Sequence, residues 1–150
     1  MFFDQDRNQL RRCYIDSWRK AQQGLPLEPI ERQIAQVVAE HPEYHRLLED
    51  GDTALARDFQ PEGGGGNPFL HMGMHLALRE QVATNRPLGV RPVHRRLSRA
   101  LGGELEAEHK MMDCLAHTLW LAQRNGQAPD EKQYLLELQE LVQRLAGKHG

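Results

Sequence analysis

Apolar residues return every third or fourth position along most of this chain, and no stretch alternates with the period of two that marks a strand. Leu10, Cys13, Tyr14, Trp18 and Ala21 share one helical stripe. They predict a first helix over about Asp4–Gln23, stopped by Gly24 and followed by Pro26 and Pro29. Ile30, Ile34, Val37 and Val38 predict a second helix starting near Glu28. Proline inside a helix loses a hydrogen bond and clashes, so Pro42 places a break at His41. A short piece over Glu43–Glu49 then starts with Pro42 as its first residue.

Residues from about 51 to 67 read as a loop that holds one short helical stretch, Thr53–Phe59, and the run Gly63-Gly64-Gly65-Gly66. Four consecutive glycines resist ordering because each loses much backbone entropy on folding. Asn67-Pro68 opens the next helix, Asn as cap and Pro in the first turn, and the pattern continues to Thr84. Beyond the turn at Pro87, Gly89 and Pro92, helices are predicted over Val93–Leu101, Glu104–Arg124 and about Asp130–Leu145. Gly102-Gly103 and Asn125-Gly126 separate them. Acidic residues open the Glu104 helix and Arg124 closes it, which complements the helix dipole. The reading is an all-α, single-domain bundle of about five to seven helices over residues 1–150.

Composition agrees. The chain has 150 residues, with 21 Leu, 13 Ala, 15 Arg and 13 Gln against 12 Val, Ile and Thr together. Straight-chain residues favour helix and β-branched ones favour strand. A chain this long can bury a core without disulfides or metal. No apolar run approaches the roughly 18 residues of a membrane span. The start, Met1-Phe2-Phe3-Asp4, has neither a basic nor an apolar leader region, so no secretory signal is expected. Cys13 and Cys114 form no CxxC motif and are expected as reduced thiols in the cytoplasm.

Net charge is −2, which gives the chain as a whole no pull on a polyanion. Arg86, Arg91, Arg95, Arg96 and Arg99 do occupy a stretch without acidic residues. A phosphate partner would suit such a run, but no aromatic residues interleave it for base stacking. An outward face neutralised by neighbours such as Glu104, Glu106 and Glu108 accounts for it, and nucleic acid is not the expected partner. A second copy of the chain or another protein could seat on an apolar helix face. The four-glycine run lacks both a preceding strand and a following Gly-Lys-Ser/Thr, so it is no phosphate-binding loop.

The chemistry that changes the picture is histidine, of which there are eight. His71 and His75 are four apart on one helix, and residues so spaced share a face. At about 100° per residue both fall within or beside the arc of Leu78 and Val82. His109 and Asp113, also four apart, fall near Ala116 and Trp120 and are expected inward or at the core boundary. Buried polar groups must find partners, at a cost of about 1–3 kcal/mol each when they do not. Two answers fit. One is a metal site of His71, His75, His109 and Asp113, whose imidazole and carboxylate donors suit Zn, Fe, Mn or Ni. An open position on such an ion would activate water. The other is a buried hydrogen-bonded network in a non-enzymatic interaction module. His41 and His45 flank Pro42 and are expected to cap or support the turn. His117 is expected at a solvent boundary, and His94 and His149 at the surface. One Glu-x-x-His unit, Glu106 to His109, falls short of the two that a di-iron bundle uses.

Four stretches carry a resemblance. They are His41-Pro42-Glu43-Tyr44-His45, the run Asn67-Pro68-Phe69-Leu70-His71-Met72-Gly73-Met74-His75 with its continuation to Gln81, Met112-Asp113-Cys114-Leu115, and Trp120 through Gly126. Over most of its length the chain resembles a bacterial family designated domain of unknown function 1841, with Asn-Pro-Phe-Leu-His as the most specific part. The resemblance implies a small, cytoplasmic, mainly helical bacterial protein, and brings no activity, cofactor or catalytic residue with it. It also implies that Glu often stands at the position of Asp113 and an acidic residue at that of His117, which leaves His117 outside the ligand set.

Overall fold

The computed structural model describes residues 2–56 and 66–146. Among these residues the chain is all-α, with eight α-helices, one 3-10 turn and no strand. The helices are α1 (Phe2–Gln22), α2 (Pro29–Ala39), α3 (His45–Glu49), α4 (Gly51–Ala56), α5 (Pro68–Thr84), α6 (Val90–Leu101), α7 (Glu104–Asn125) and α8 (Glu131–Leu145). The 3-10 turn, Pro42–Tyr44, lies between α2 and α3. Eight exceeds the expected five to seven because the chain around Pro42 and Asp50 folds into short separate turns. Of the expected glycine-rich loop, residues 51–56 are helix α4, while 57–65, including Gly63, Gly64 and Gly65, lie outside the described residues. No helix among the described residues is long and apolar enough to cross a membrane.

The chain divides into two compact units, Met1–Leu76 and Ala77–Gly150, so the dividing point falls within α5. In the first unit, α2 buries Ile34, Ala35, Val37 and Val38. Ile34, Val37 and Val38 join Tyr14, Leu48, Ala54, Phe69 and Met72 in one core. Leu10 and Ile30, expected in the apolar stripes, are instead exposed. The buried face of α1 runs through Arg11, Tyr14 and Ser17, since Arg11 reaches inward to donate to the Ala54 carbonyl at 2.9 Å. Its guanidinium also lies over the Phe69 ring, 5.0 Å from the centroid. At the start of α2 the Glu31 carboxylate accepts from the Glu28 amide at 2.8 Å and from Lys20 at 2.7 Å. The helix start and its docking on α1 thus share one side chain. The Asn67 carboxamide accepts from the Phe69 and Leu70 amides, which makes it the cap that its position predicts.

In the second unit α6, α7 and α8 pack on one another. Val90, Val93, Leu97, Met111, Leu115, Tyr134, Leu138, Leu141 and Val142 are large apolar residues buried on these helices. Gly89 precedes α6 at φ 108, a left-handed conformation that glycine adopts without strain. A Cβ there would also stand 3.3 Å from Leu135. Gly126 ends α7 at φ 62 in the same way. Asp130 caps α8 by accepting from the Gln133 amide.

Candidate metal centre

Three imidazoles meet in the first unit. His71 and His75 project from successive turns of α5, with ring centroids 4.9 Å apart. His41 arrives from the break after α2, with centroids 5.1 Å from His71 and 4.8 Å from His75. The nitrogens that could bind an ion lie within 4.8 Å of one another. His75 is wholly buried, His41 is 3% exposed, and His71 is partly exposed.

The His41 ring has a defined tautomer. Its Nδ1 lies 2.8 Å from the Val37 carbonyl oxygen, which can only accept, so Nδ1 carries the proton and donates. In the neutral ring the lone pair is then on Nε2. Metal-bound histidines use this arrangement, one ring nitrogen donating to a carbonyl while the other faces the ion. Tyr44 stacks on the His41 ring, planes 2° from parallel and centroids 5.5 Å apart, and meets His71 at 6.3 Å. Burial and the nearby Glu43 charge raise the Tyr44 pKa, so the phenol is neutral at ordinary pH.

His45 stands apart from this group. Its Nε2 lies 2.8 Å from the Val38 carbonyl and its ring stacks on Trp18 at 4.4 Å. It therefore supports the turn, as expected for both histidines beside Pro42. His41 does more than that. The same break that disturbs the helical register also returns its ring toward α5.

The second unit places the other expected ligands. His109 and Asp113 both lie on the exposed side of α7 and not on its buried face. That buried face is Ala107, Glu108, Met111, Met112, Cys114, Leu115 and Thr118. The expected inward arc leaned on Trp120, which is 53% exposed and has the Arg124 guanidinium 5.1 Å over its ring. Glu108 is the acidic residue that sequence reading missed. It is 4% exposed and accepts from Arg79, from Nε to Oε2 at 3.0 Å and to Oε1 at 3.3 Å and from Nη2 to Oε1 at 3.1 Å. Its spacing to Met111, Met112 and Leu115 was the available signal. His94, expected at the surface, is buried on α6. His117 is exposed, as expected, and its Nδ1 lies 2.9 Å from Glu137. His149 lies outside the described residues.

Chemically, the triad offers three uncharged nitrogen donors and no thiolate. Imidazole suits borderline divalent ions such as Zn, Cu, Fe or Ni better than hard ones such as Mg or Ca. The two cysteines take no part. Both are free, Cys13 exposed and Cys114 buried.

The family model for the domain of unknown function DUF1841 matches residues 6–140, and the chain belongs to that family. No curated protein and no solved structure matches the chain.

Proposed function

We propose that this member of the DUF1841 family binds one divalent transition metal, Zn, Fe, Mn or Ni, through His71 and His75, with His41 as a third donor. The observation that carries the reading is the approach of three buried or half-buried imidazoles, one of which already has its second nitrogen bonded to a backbone carbonyl. Zinc binds imidazole at about 2.1 Å, which sets donor nitrogens about 3.4 Å apart in a tetrahedron. The donor nitrogens, within 4.8 Å of one another, lie at most about 1.4 Å beyond that spacing. His109 and Asp113, offered as donors by the sequence, remain in the proposal, and the same experiment measures them. The protein is proposed to work in the bacterial cytoplasm, a setting consistent with its two unbridged thiols.

The second reading is a structural one, in a module that binds a protein partner or a second copy. It is favoured by the bond from His41 to Val37, which holds the end of α2 without any ion. The two readings separate by elemental mass spectrometry of untagged protein purified without chelator, beside His41→Ala, His71→Ala, His75→Ala, His109→Ala and Asp113→Ala variants. Near-stoichiometric metal that is lost in the His71 and His75 variants supports the metal site. A wild type that stays metal-free after reconstitution removes it and leaves the structural reading.

A further inference from the structure

α6 has two faces of opposite character. Val90, Val93, His94 and Leu97 are buried. Arg91, Pro92, Arg95, Arg96, Arg99 and Ala100 are exposed. Arg91, Arg95 and Arg99 stand four residues apart in one row, about 6 Å between neighbours along the axis, and Arg96 flanks the row. Arg91 is engaged within the fold, its guanidinium donating to the Val82 and Ala83 carbonyls at the end of α5. Arg95, Arg96 and Arg99 make no hydrogen bond or ion pair among the described residues.

Two of the acidic residues expected to neutralise them, Glu106 and Glu108, are engaged elsewhere. Glu108 holds Arg79. The Glu106 carboxylate folds back over Gly103, into the place that a side chain there would take. No acidic residue occurs between Gln81 and Gly103. Three like charges on adjacent turns repel one another, and no ion pair offsets them among the described residues.

We propose that this face of α6 docks on the phosphate backbone of duplex DNA. Every cation in the row is arginine, whose planar fork pairs with phosphate through two hydrogen bonds. No large apolar side chain is exposed on the helix, and protein interfaces usually depend on such anchors. No aromatic residue is there to stack on unpaired bases. B-form DNA has a major groove wide enough for a helix, whereas that of duplex RNA is too deep and narrow. The contacts reach phosphates, so binding is sequence-tolerant and strongly salt-dependent.

The test is fluorescence anisotropy of the full chain with a labelled, mixed-sequence DNA duplex. Three phosphate contacts predict that a fourfold rise in salt weakens binding about 40-fold. Replacing Arg95, Arg96 and Arg99 together by alanine is expected to weaken binding at least tenfold and flatten the salt dependence. Replacing all three by lysine keeps the salt dependence. The three side chains are exposed, so the melting temperature should not move. If the triple variant melts early, single replacements carry the test, each lowering the salt slope by about one. Wild-type affinity in the triple alanine variant, a salt-insensitive isotherm or equal binding to poly-glutamate would overturn the proposal. So would a preference for an RNA duplex of the same sequence.

Discussion

His41 donates from Nδ1 to the carbonyl of Val37, one turn back on α2, across 2.8 Å. The bond orients a ring that lies 4.8 Å from His75. One residue thus both holds the end of a helix and presents a nitrogen to the candidate centre.

A metal held at these histidines stabilises the folded chain by mass action. At a free ion concentration about 100 times the Kd, the gain is about 2.7 kcal/mol. Thermal melts with added zinc and with chelator should therefore differ by several degrees in wild type, and coincide in His75→Ala. Coincident wild-type melts would argue against the metal.

Arg79 and Glu108 give an asymmetric pair of variants. The Glu108 side chain is 5% exposed and that of Arg79 27%. Arg79→Ala leaves a buried carboxylate without its guanidinium and is expected to cost about 3–5 kcal/mol. Glu108→Ala leaves an arginine that can turn to solvent, and is expected to cost about 1–3 kcal/mol. Urea unfolding of both variants checks the order, and the reverse order sinks the account.

The thiols should differ in reactivity. Burial, aided by the Glu137 and Asp113 charges, pushes Cys114 from its ordinary 9.0 up to about 11. Cys13 is exposed. A thiol reagent near pH 8 is expected to modify one cysteine quickly and the second only on unfolding. The raised pKa also bears on stability. Above pH 9 the unfolded chain loses this proton before the folded one does, so stability falls as pH rises from about 9 to 11. Tyr14, pushed by burial up to about 12, adds to the loss at still higher pH. Unfolding free energies measured across this range should decline. A Cys114→Ala variant should show a shallower decline.

His94 is buried, and its Nε2 has no hydrogen-bond partner among the described residues. An unsatisfied buried polar atom costs about 1–3 kcal/mol. His94→Leu is therefore expected to leave the melting temperature unchanged or raise it, while burial of the same volume is kept. A fall of several degrees would show that the imidazole has a partner.

The helices and their ends were legible in the sequence because they are local. Asn67 caps α5, Asp130 caps α8 and Gly126 ends α7 by bonds and dihedrals that involve only near neighbours. The His71–His75 pair was legible for the same reason, since four residues make about one helical turn. Which arc of α7 turns inward was not. Periodicity treats Trp120 as apolar, yet its ring lies exposed under Arg124, and the inward position belongs to Glu108 because Arg79 is there to meet it.

The sequence by itself therefore determined an all-α chain, the caps that open α5 and α8 and the glycine that ends α7, and two histidines on one face of α5, while α6 starts at Val90, three residues before the expected Val93. Tertiary structure decided the rest: His41 joins those two through the break at Pro42, and His109 and Asp113 lie on the exposed side of α7. Helix formation depends on hydrogen bonds within a few residues, so composition and spacing are enough to read it. The identity of a buried face depends on partners far along the chain, and no local pattern records where they will be.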